Sequence, residues 1–559
     1  MGEFWLRTPR NDKPTDIKDA VCGSRLYGKR VAAAEAFTQG LMQWDEHPFM
    51  LKRLGDRKYC EGINRFMLHV YAHQPWLDRA PGMTLSGIGT FFSRTQTWWR
   101  PGKAWFDYLR RCQALLQEGR AVADVCYFTG ENLPARSLLP RQLSVPLPEG
   151  YSYDCINRDG LLHLAEVRDG WIVLKSGGRY RVLVLPDDVL MTPEIASKLR
   201  ELVHAGGVVV GPRPRRSPSL TGFPQCDATV KQVADELWGG AEGGLGRVIW
   251  GKPLGTVLTE LAVPADLRFK AGAMTADGPT YEAGHPEAYS VGDGRRILWT
   301  HRRGVDWDLY FLAHPGIVPT QFTVSFPITG REPEAWYPDR GEVEKLTGWH
   351  EEAGRTVVPL SLIPAESLCV VFAAPTGRKV RSTTRRAPQS FELHHPWKAR
   401  FTERLSSPIE LTLESLMSWS DRPEEDIKYY SGTATYTTEF QIPPQMVRKD
   451  RRVFINLGTV RELVEVRLNG KVVSTLWKPP FMAEITQSVR VGKNQLELAV
   501  TNTWRNRIIG DYGKPEAQRK AFVMPRLRKG QEWLPGGPGT VLSPAGLLGP
   551  VSVTCWEVD

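Results

Sequence analysis

The sequence predicts a multidomain protein, α/β in its first half and β in its second. Three observations predict this: strand–helix–strand units of near-constant length at the start, alternating apolar strands and helices after residue 119, and period-2 patterning with hairpin turns toward the C-terminus. At 559 residues the chain is long enough for three or four domains, and 41% hydrophobic with 24% charged residues is the composition of a globular protein with several cores.

The first unit opens with Glu3-Phe4-Trp5, read as a strand. A helix follows, with Thr15 as its N-cap, Ile17, Ala20, Val21 and Ser24 on one face, and Gly28 closing it. Val31 to Ala34 is a short apolar run that delivers Glu35, and Phe66-Met67-Leu68 is a second run that delivers His69. Between them, Pro48 suits a first helical turn and Phe49, Leu51 and Leu54 recur at helical spacing. Glu3, Glu35 and His69 thus recur roughly 30 residues apart, the length of a βα repeat. Parallel strands with polar residues at their carboxyl ends build the active sites of (β/α)8 barrels, yet such a barrel takes ~250 residues and only ~120 precede the next domain. The expectation is therefore that residues 1–118 hold the C-terminal part of a barrel and lack its first strands.

Trp98-Trp99, Trp105 and Tyr108 lead into a helix whose face carries Leu109, Cys112, Leu115 and Leu116, closed by Gly119. Residues 119–254 then read as a doubly wound, flavodoxin-like α/β domain: a strand over Ala121 to Phe128, a helix over Cys155 to Glu166, a strand over Arg181 to Pro186, a helix over Pro193 to Ala205, and the strand Val208-Val209-Val210. Glu131 stands at the carboxyl end of the first strand, where such sheets place ligands, but the nearby glycines spell no phosphate-binding motif. A structural role is preferred there.

Residues 255–388 read as a β-sandwich, with strands over Arg296 to His301, Asp308 to Leu312, Gln321 to Phe326 and Ser367 to Phe372, and with Pro375 to Pro388 as a linker. Residues 389–559 read as a jelly-roll sandwich. Leu463 to Val473 alternates on both sides of Asn469-Gly470, the strongest short hairpin signal, and Thr433 to Phe440, Arg452 to Leu457 and Gln495 to Val500 alternate as well.

Composition also excludes functions. No stretch of 18 or more apolar residues exists to span a membrane, and Met1 to Leu6 lacks the basic and apolar regions of a signal peptide. The eight cysteines form no C-x-x-C pair, which argues for buried thiols over a zinc cluster. A net charge of +10 raises a nucleic-acid partner, but the basic runs at Arg213, Arg215 and Arg216 and at Arg378 to Arg386 lack interleaved aromatics and read as solvated loops.

Leu26-Tyr27-Gly28-Lys29, Ala34 to Thr38, Gly62 to Arg65, His69 to Pro75, Tyr429 to Tyr436, Val466 to Gly470 and Asn502 to Asp511, in this order, resemble the α-L-rhamnosidases of glycoside hydrolase family 106. The C-terminal sandwich also looks like the sugar-binding, galactose-binding-like domain of family 2 glycosidases. The resemblance implies inverting hydrolysis of terminal α-L-rhamnosyl residues from polysaccharides or glycosides, with a calcium ion holding sugar hydroxyls. It makes Glu35 one of two catalytic carboxylates, the other lying on an earlier strand without a counterpart here, so that the activity of this chain alone is left open. The alternative is a non-catalytic carbohydrate-binding or scaffold protein. Relatives of this kind are typically exported.

An inverting glycosidase needs an acid for the leaving oxygen and a base for the water, about 6.5–9.5 Å apart. Glu35, rigidly held at a strand end, suits the base; capping a helix or pairing with Lys29 or Arg30 is the competing reading. Glu3, His69, His73 and Trp99 are the substrate-binding candidates: a carboxylate at a neighbouring strand end, two imidazoles that donate and accept at once, and an indole able to stack on a sugar face. Trp477, Asn502, Trp504 and Asp511 near strand ends of the last sandwich favour structure over binding. The acidic residues are too dispersed to assign calcium ligands.

Overall fold

A computed structural model describes residues 1–6, 13–40, 42–239, 246–270, 297–316, 319–373, 389–394, 396–402, 408–524, 535–536 and 539–557. The Pro375 to Pro388 linker and the basic run Arg378 to Arg386 lie outside the described residues. The chain is multidomain and mostly sheet, with few helices.

Three parallel strands come first: β1 (Gly2–Trp5), β2 (Ala33–Thr38) and β3 (Arg65–Leu68), in the order β1-β2-β3. The register places Glu3 beside Glu35 and Glu35 beside Met67. Helix α1 (Pro14–Leu26) joins β1 to β2, and α2 (Pro48–Cys60) joins β2 to β3. Thr15 is not the cap of α1: Lys13 holds that position in a left-handed conformation, φ 44°, and makes no side-chain cap bond. Pro14 explains the shift, because a proline prefers the first helical position and puts Thr15 inside the first turn. Asn64 locks the sheet's lower end, accepting from the Ala32 amide at 2.8 Å and donating to the Arg30 carbonyl at 2.9 Å.

One sheet face is apolar and packed. Phe4, Phe37 and Phe66 meet edge to face at 5.1–5.5 Å, and Phe37 reaches Trp105 of α3 (Lys103–Gln117) at 5.9 Å. The other face carries half-buried Glu3 and Glu35 with exposed Arg65 and Met67.

The next layer is a five-stranded parallel sheet of β4 (Val125–Phe128), β5 (Tyr153–Ile156), β6 (Val182–Val184), β7 (Val208–Val210) and β8 (Arg247–Ile249), ordered β8-β7-β6-β4-β5. Counted from its own first strand this is 2-1-3-4-5, the doubly wound order of flavodoxin-like sheets. Two readings are corrected here. The strand expected over Ala121 to Phe128 is two: Arg120–Ala121 pairs antiparallel with Leu298–Arg303 in another sheet, and only Val125–Phe128 joins this one. The helix expected over Cys155 to Glu166 is a strand ending at Ile156, a short helix Arg158–His163, and a second strand Ala165–Arg168. Asn157 caps that helix, accepting from the Gly160 amide at 2.8 Å, so the capping residue rather than the apolar run marks its start.

Two sheet pairs complete the chain. A four-stranded and a six-stranded sheet enclose Tyr310, Phe322, Phe326, Val358 and Phe372. The last pair encloses Trp397, Tyr436, Val466 and Leu498. Its hairpin, Leu463–Leu468 to Lys471–Leu476, turns through Asn469 at φ 52° and Gly470 at φ 80°, the two positive angles a type I′ turn requires. All eight cysteines are free and seven are buried. No helix among the described residues is long and apolar enough to cross a membrane.

Candidate active site

Glu35 is aimed by an irregularity in its own strand. Glu3 pairs with Glu35 and Trp5 with Thr38, so two steps on β1 span three on β2. The extra residue is absorbed next to Phe37, a fully buried side chain at φ 66°. A bulky residue at positive φ is a strained outlier, and the strain persists because Phe4, Phe66 and Trp105 hold the ring. In a regular strand residues three apart face opposite ways. The bulge instead brings the Thr38 hydroxyl round to donate to Glu35 Oε1 at 2.6 Å.

Glu3 is held from two sides. The Trp5 indole donates to Oε1 and the Lys13 ammonium to Oε2 at 2.5 Å. Burial alone would raise this carboxyl, but those two hydrogen bonds and the Lys13 charge outweigh it and hold Glu3 below the usual carboxylate range. His69 pulls the same way, which places its imidazole within electrostatic reach of Glu3.

His69 follows β3, and a strap over residues 87–92 seats it. The Thr90 amide donates to the His69 carbonyl at 2.8 Å, the Val70 amide to the Thr90 carbonyl at 2.7 Å, and the Thr90 hydroxyl to the Phe37 carbonyl at 2.8 Å. Gly89 lets the ring in: at φ +89°, a Cβ there would stand 2.6 Å from His69 Nδ1. That nitrogen is buried and has no hydrogen-bond partner among the described residues.

Glu3, Glu35 and His69 therefore come together. His73 is exposed in the loop beyond, next to a buried Gln74 that clamps the Met83 backbone. Trp99 is 38% exposed and packs edge-on to Phe106, while Trp98 is buried with its indole on the Glu46 carbonyl. Glu35 pairs with neither Lys29 nor Arg30; Arg30 bonds Glu118. Residues the sequence did not single out, Thr38, Lys13, Trp5 and Gly89, complete the arrangement. Their only sequence signal is proximity to Glu3 and Glu35, and Gly89 has none.

The other carboxylates and aromatics are engaged in contacts within the fold. Glu131 accepts from the Thr192 amide and hydroxyl, both at 2.8 Å, and from Arg158, beside a cleft of only about 10 Å³. Trp477 is buried against Tyr108 at 5.5 Å, and the Trp504 indole donates to the Thr95 carbonyl. Asn502 bridges Gly432 and Tyr430, and Asp511 accepts from two backbone amides. Among the described residues no group of three or more His, Cys, Asp or Glu is placed to hold a metal ion. Calcium takes six to eight oxygens, so these side chains alone do not make its cage.

A sequence model of glycoside hydrolase family 106, described as alpha-L-rhamnosidase, matches residues 1–350. The solved rhamnosidase from Novosphingobium sp. PP1Y superposes with a TM-score of 0.84 at 31% identity, covering 99% of this chain and 51% of that one. A putative beta-glucuronidase of Formosa agariphila is 27% identical over 96% of this chain and 62% of its own length. The chain thus spans about half the length of the solved relative and under two thirds of the other.

Proposed function

The chain belongs to glycoside hydrolase family 106, and from that membership we propose that Glu35 is the general base of an inverting α-L-rhamnosidase site. The observation that carries this is the bulge at Phe37, where strain is spent on turning a hydroxyl onto one carboxylate of a parallel strand. In the proposed reaction Glu35 takes a proton from a water that attacks the anomeric carbon, while an acid partner protonates the departing glycosidic oxygen from the opposite face.

Glu3 is unsuited to be that acid, because Lys13 and Trp5 keep it ionised. An ionised Glu3, with His69 beside it and His73 at the rim, suits sugar hydroxyls instead. Trp99 is the proposed stacking surface. Calcium, which the family resemblance implies, is tested by chelation and readdition. The last sandwich is proposed as a galactose-binding-like jelly roll.

The test is turnover of an aryl α-L-rhamnoside by the protein with Glu35→Ala. A base variant loses ~10³-fold or more in kcat and recovers with azide, giving the β-rhamnosyl azide. Loss without azide rescue, or full activity, removes Glu35 from the role. An aryl β-glucuronide in the same assay separates the substrate class named for the Formosa relative, and rhamnose binding without turnover of either would support the scaffold reading.

A further inference from the structure

Between the end of α1, the end of α3 and the edge of the α/β layer lies a cleft of about 320 Å³, on a part of the chain the glycosidase reading does not use. Six cations line it: Arg25, Lys29, Arg30, Arg120, Arg179 and Arg302, against the two carboxylates Glu118 and Asp154. Asp154 neutralises Arg25 at 2.6 Å, and Glu118 pairs with Arg30. Lys29, Arg120, Arg179 and Arg302 have no carboxylate within ion-pair distance among the described residues. Arg120 and Arg302 spend donors on backbone carbonyls, of Gly177, Glu118 and Gly119, and Arg179 lies 4.7 Å over the Trp171 ring.

Collecting these charges has a cost. Burial first, and repulsion from Arg25 next, push Arg302 down to about 10, with Arg30 adding to the repulsion and Glu118 offsetting part of it. The backbone nonetheless makes room for the cluster. At Gly177, φ +91°, a Cβ would stand 2.4 Å from the Arg120 guanidinium. Ser176, also on the wall, has a buried hydroxyl with no hydrogen-bond partner among the described residues.

Guanidinium forks match planar or tetrahedral oxyanions, and an unpaired hydroxyl beside them offers a further hydrogen bond. The volume is within the ~300–1,000 Å³ of small-molecule sites, far more than a bare oxyanion fills. Membership of a glycan-cleaving family makes a sugar the natural bearer of that charge. We propose that this cleft is a second binding site, distinct from the Glu35 site, for a saccharide carrying an oxyanion, either a uronate carboxylate or a sulfate ester.

Calorimetry on the full chain tests this with D-glucuronate, D-glucose 6-sulfate, D-glucose and sodium sulfate as probes. Binding of either anionic sugar, weakened by salt and not displaced by excess rhamnose, is the expected result, and the tighter of the two identifies the oxyanion. Lys29→Glu, at an exposed position, should weaken that binding ~10-fold without moving the melting point, whereas Arg302→Gln also loses two carbonyl contacts. No binding of either anionic sugar at ~10 mM, binding indifferent to Lys29→Glu, or sulfate alone binding as tightly as both sugars overturns the proposal.

Discussion

Lys52→Met should destabilise the protein more than any packing loss at that site explains. Lys52 and Asp56, one turn apart on α2, form an ion pair with 0% and 5% side-chain exposure. The ammonium also donates to Ser367 Oγ at 2.8 Å and lies 4.7 Å over the Tyr108 ring, while the Tyr108 hydroxyl donates to Asp56 and meets Ser367 at 2.9 Å. Burial pushes the Asp56 carboxyl up and Lys52 only partly pulls it back. Methionine keeps the volume and removes the charge, leaving an uncompensated buried carboxylate, at a cost of ~3–5 kcal/mol. For a cooperative unit of ~150–250 residues that is about 6–20 °C in melting temperature. Asp56→Asn alone leaves the ammonium unpaired at a similar cost, but the double variant leaves no buried charge and should return to within ~1–2 kcal/mol of the parent. The assay is urea unfolding followed by tryptophan fluorescence, since Trp477 packs on Tyr108. A raised carboxyl is penalised only while ionised, so the Lys52→Met deficit should shrink as pH falls from 8 toward 5. A shift under ~2 °C, or a double variant no better than the worse single, refutes the reasoning.

Thr38→Val should lower kcat ~5–10-fold by removing ~1 kcal/mol of hydrogen bonding to Glu35; an unchanged kcat would make Thr38 merely structural. Gly89→Ala places a methyl 2.6 Å from His69 Nδ1 and strains a φ of +89°, so it should destabilise by ~1–3 kcal/mol and raise KM; unchanged KM would mean that the seating of His69 does not matter. His301 lies buried between Asp266 at 2.8 Å and Asp308 at 2.9 Å. Burial alone would lower it, but the Asp266 charge and both hydrogen bonds outweigh that and raise it above 6.5, while Asp308, despite burial, is held to about 2 by hydrogen bonds from His301 and Arg303. The His301 contribution is complete below about 6.5 and lost as pH rises through the folded value; that of Asp308 is complete above ~4 and lost as pH falls toward 2. Melting temperature against pH should therefore decline above neutrality, less steeply in His301→Gln; parallel curves would refute this. Asp124, raised to about 7 by burial and by Asp266, declines in the same direction and is isolated with Asp124→Asn.

The elements that were legible in the sequence share a property: their residues state the backbone they need. Val208-Val209-Val210 is a buried parallel strand, Pro48 opens α2, and Asn469-Gly470 accepts two positive φ angles, all as their types demand. The illegible ones are conformations that no local residue asks for. Phe37 is a poor choice for positive φ, and only rings from β1, β3 and α3 keep it there. Cys155 to Glu166 misled because a short apolar run fits period 2 and period 3.6 alike, so the Asn157 cap had to arbitrate. Glu3 and Glu35 were legible as acids on neighbouring strands, but not as strand-end ones: the apolar run Val31 to Ala34 stops before Glu35, whereas β2 is Ala33–Thr38 and holds Glu35 inside it. Their different partners, Lys13 with Trp5 for one and Thr38 for the other, depend on register and a bulge.

The two sites lie close together along the chain. Arg30 lines the cationic cleft just before β2 begins, and Glu35 is the third of the six residues of β2, so five residues, at most ~17 Å of extended backbone, separate them. A longer glycan bound at Glu35 spans that length, whereas a monosaccharide covers only part of it. Charge in the cleft should then be felt only by extended anionic substrates, and as binding rather than chemistry, because an interaction equal in ground and transition states changes KM and leaves kcat alone. Lys29→Glu is therefore expected to raise KM for an anionic rhamnose-terminated polysaccharide and to leave both constants unchanged for the aryl rhamnoside. A loss in kcat on either substrate would mean that the cleft and the Glu35 site are one site.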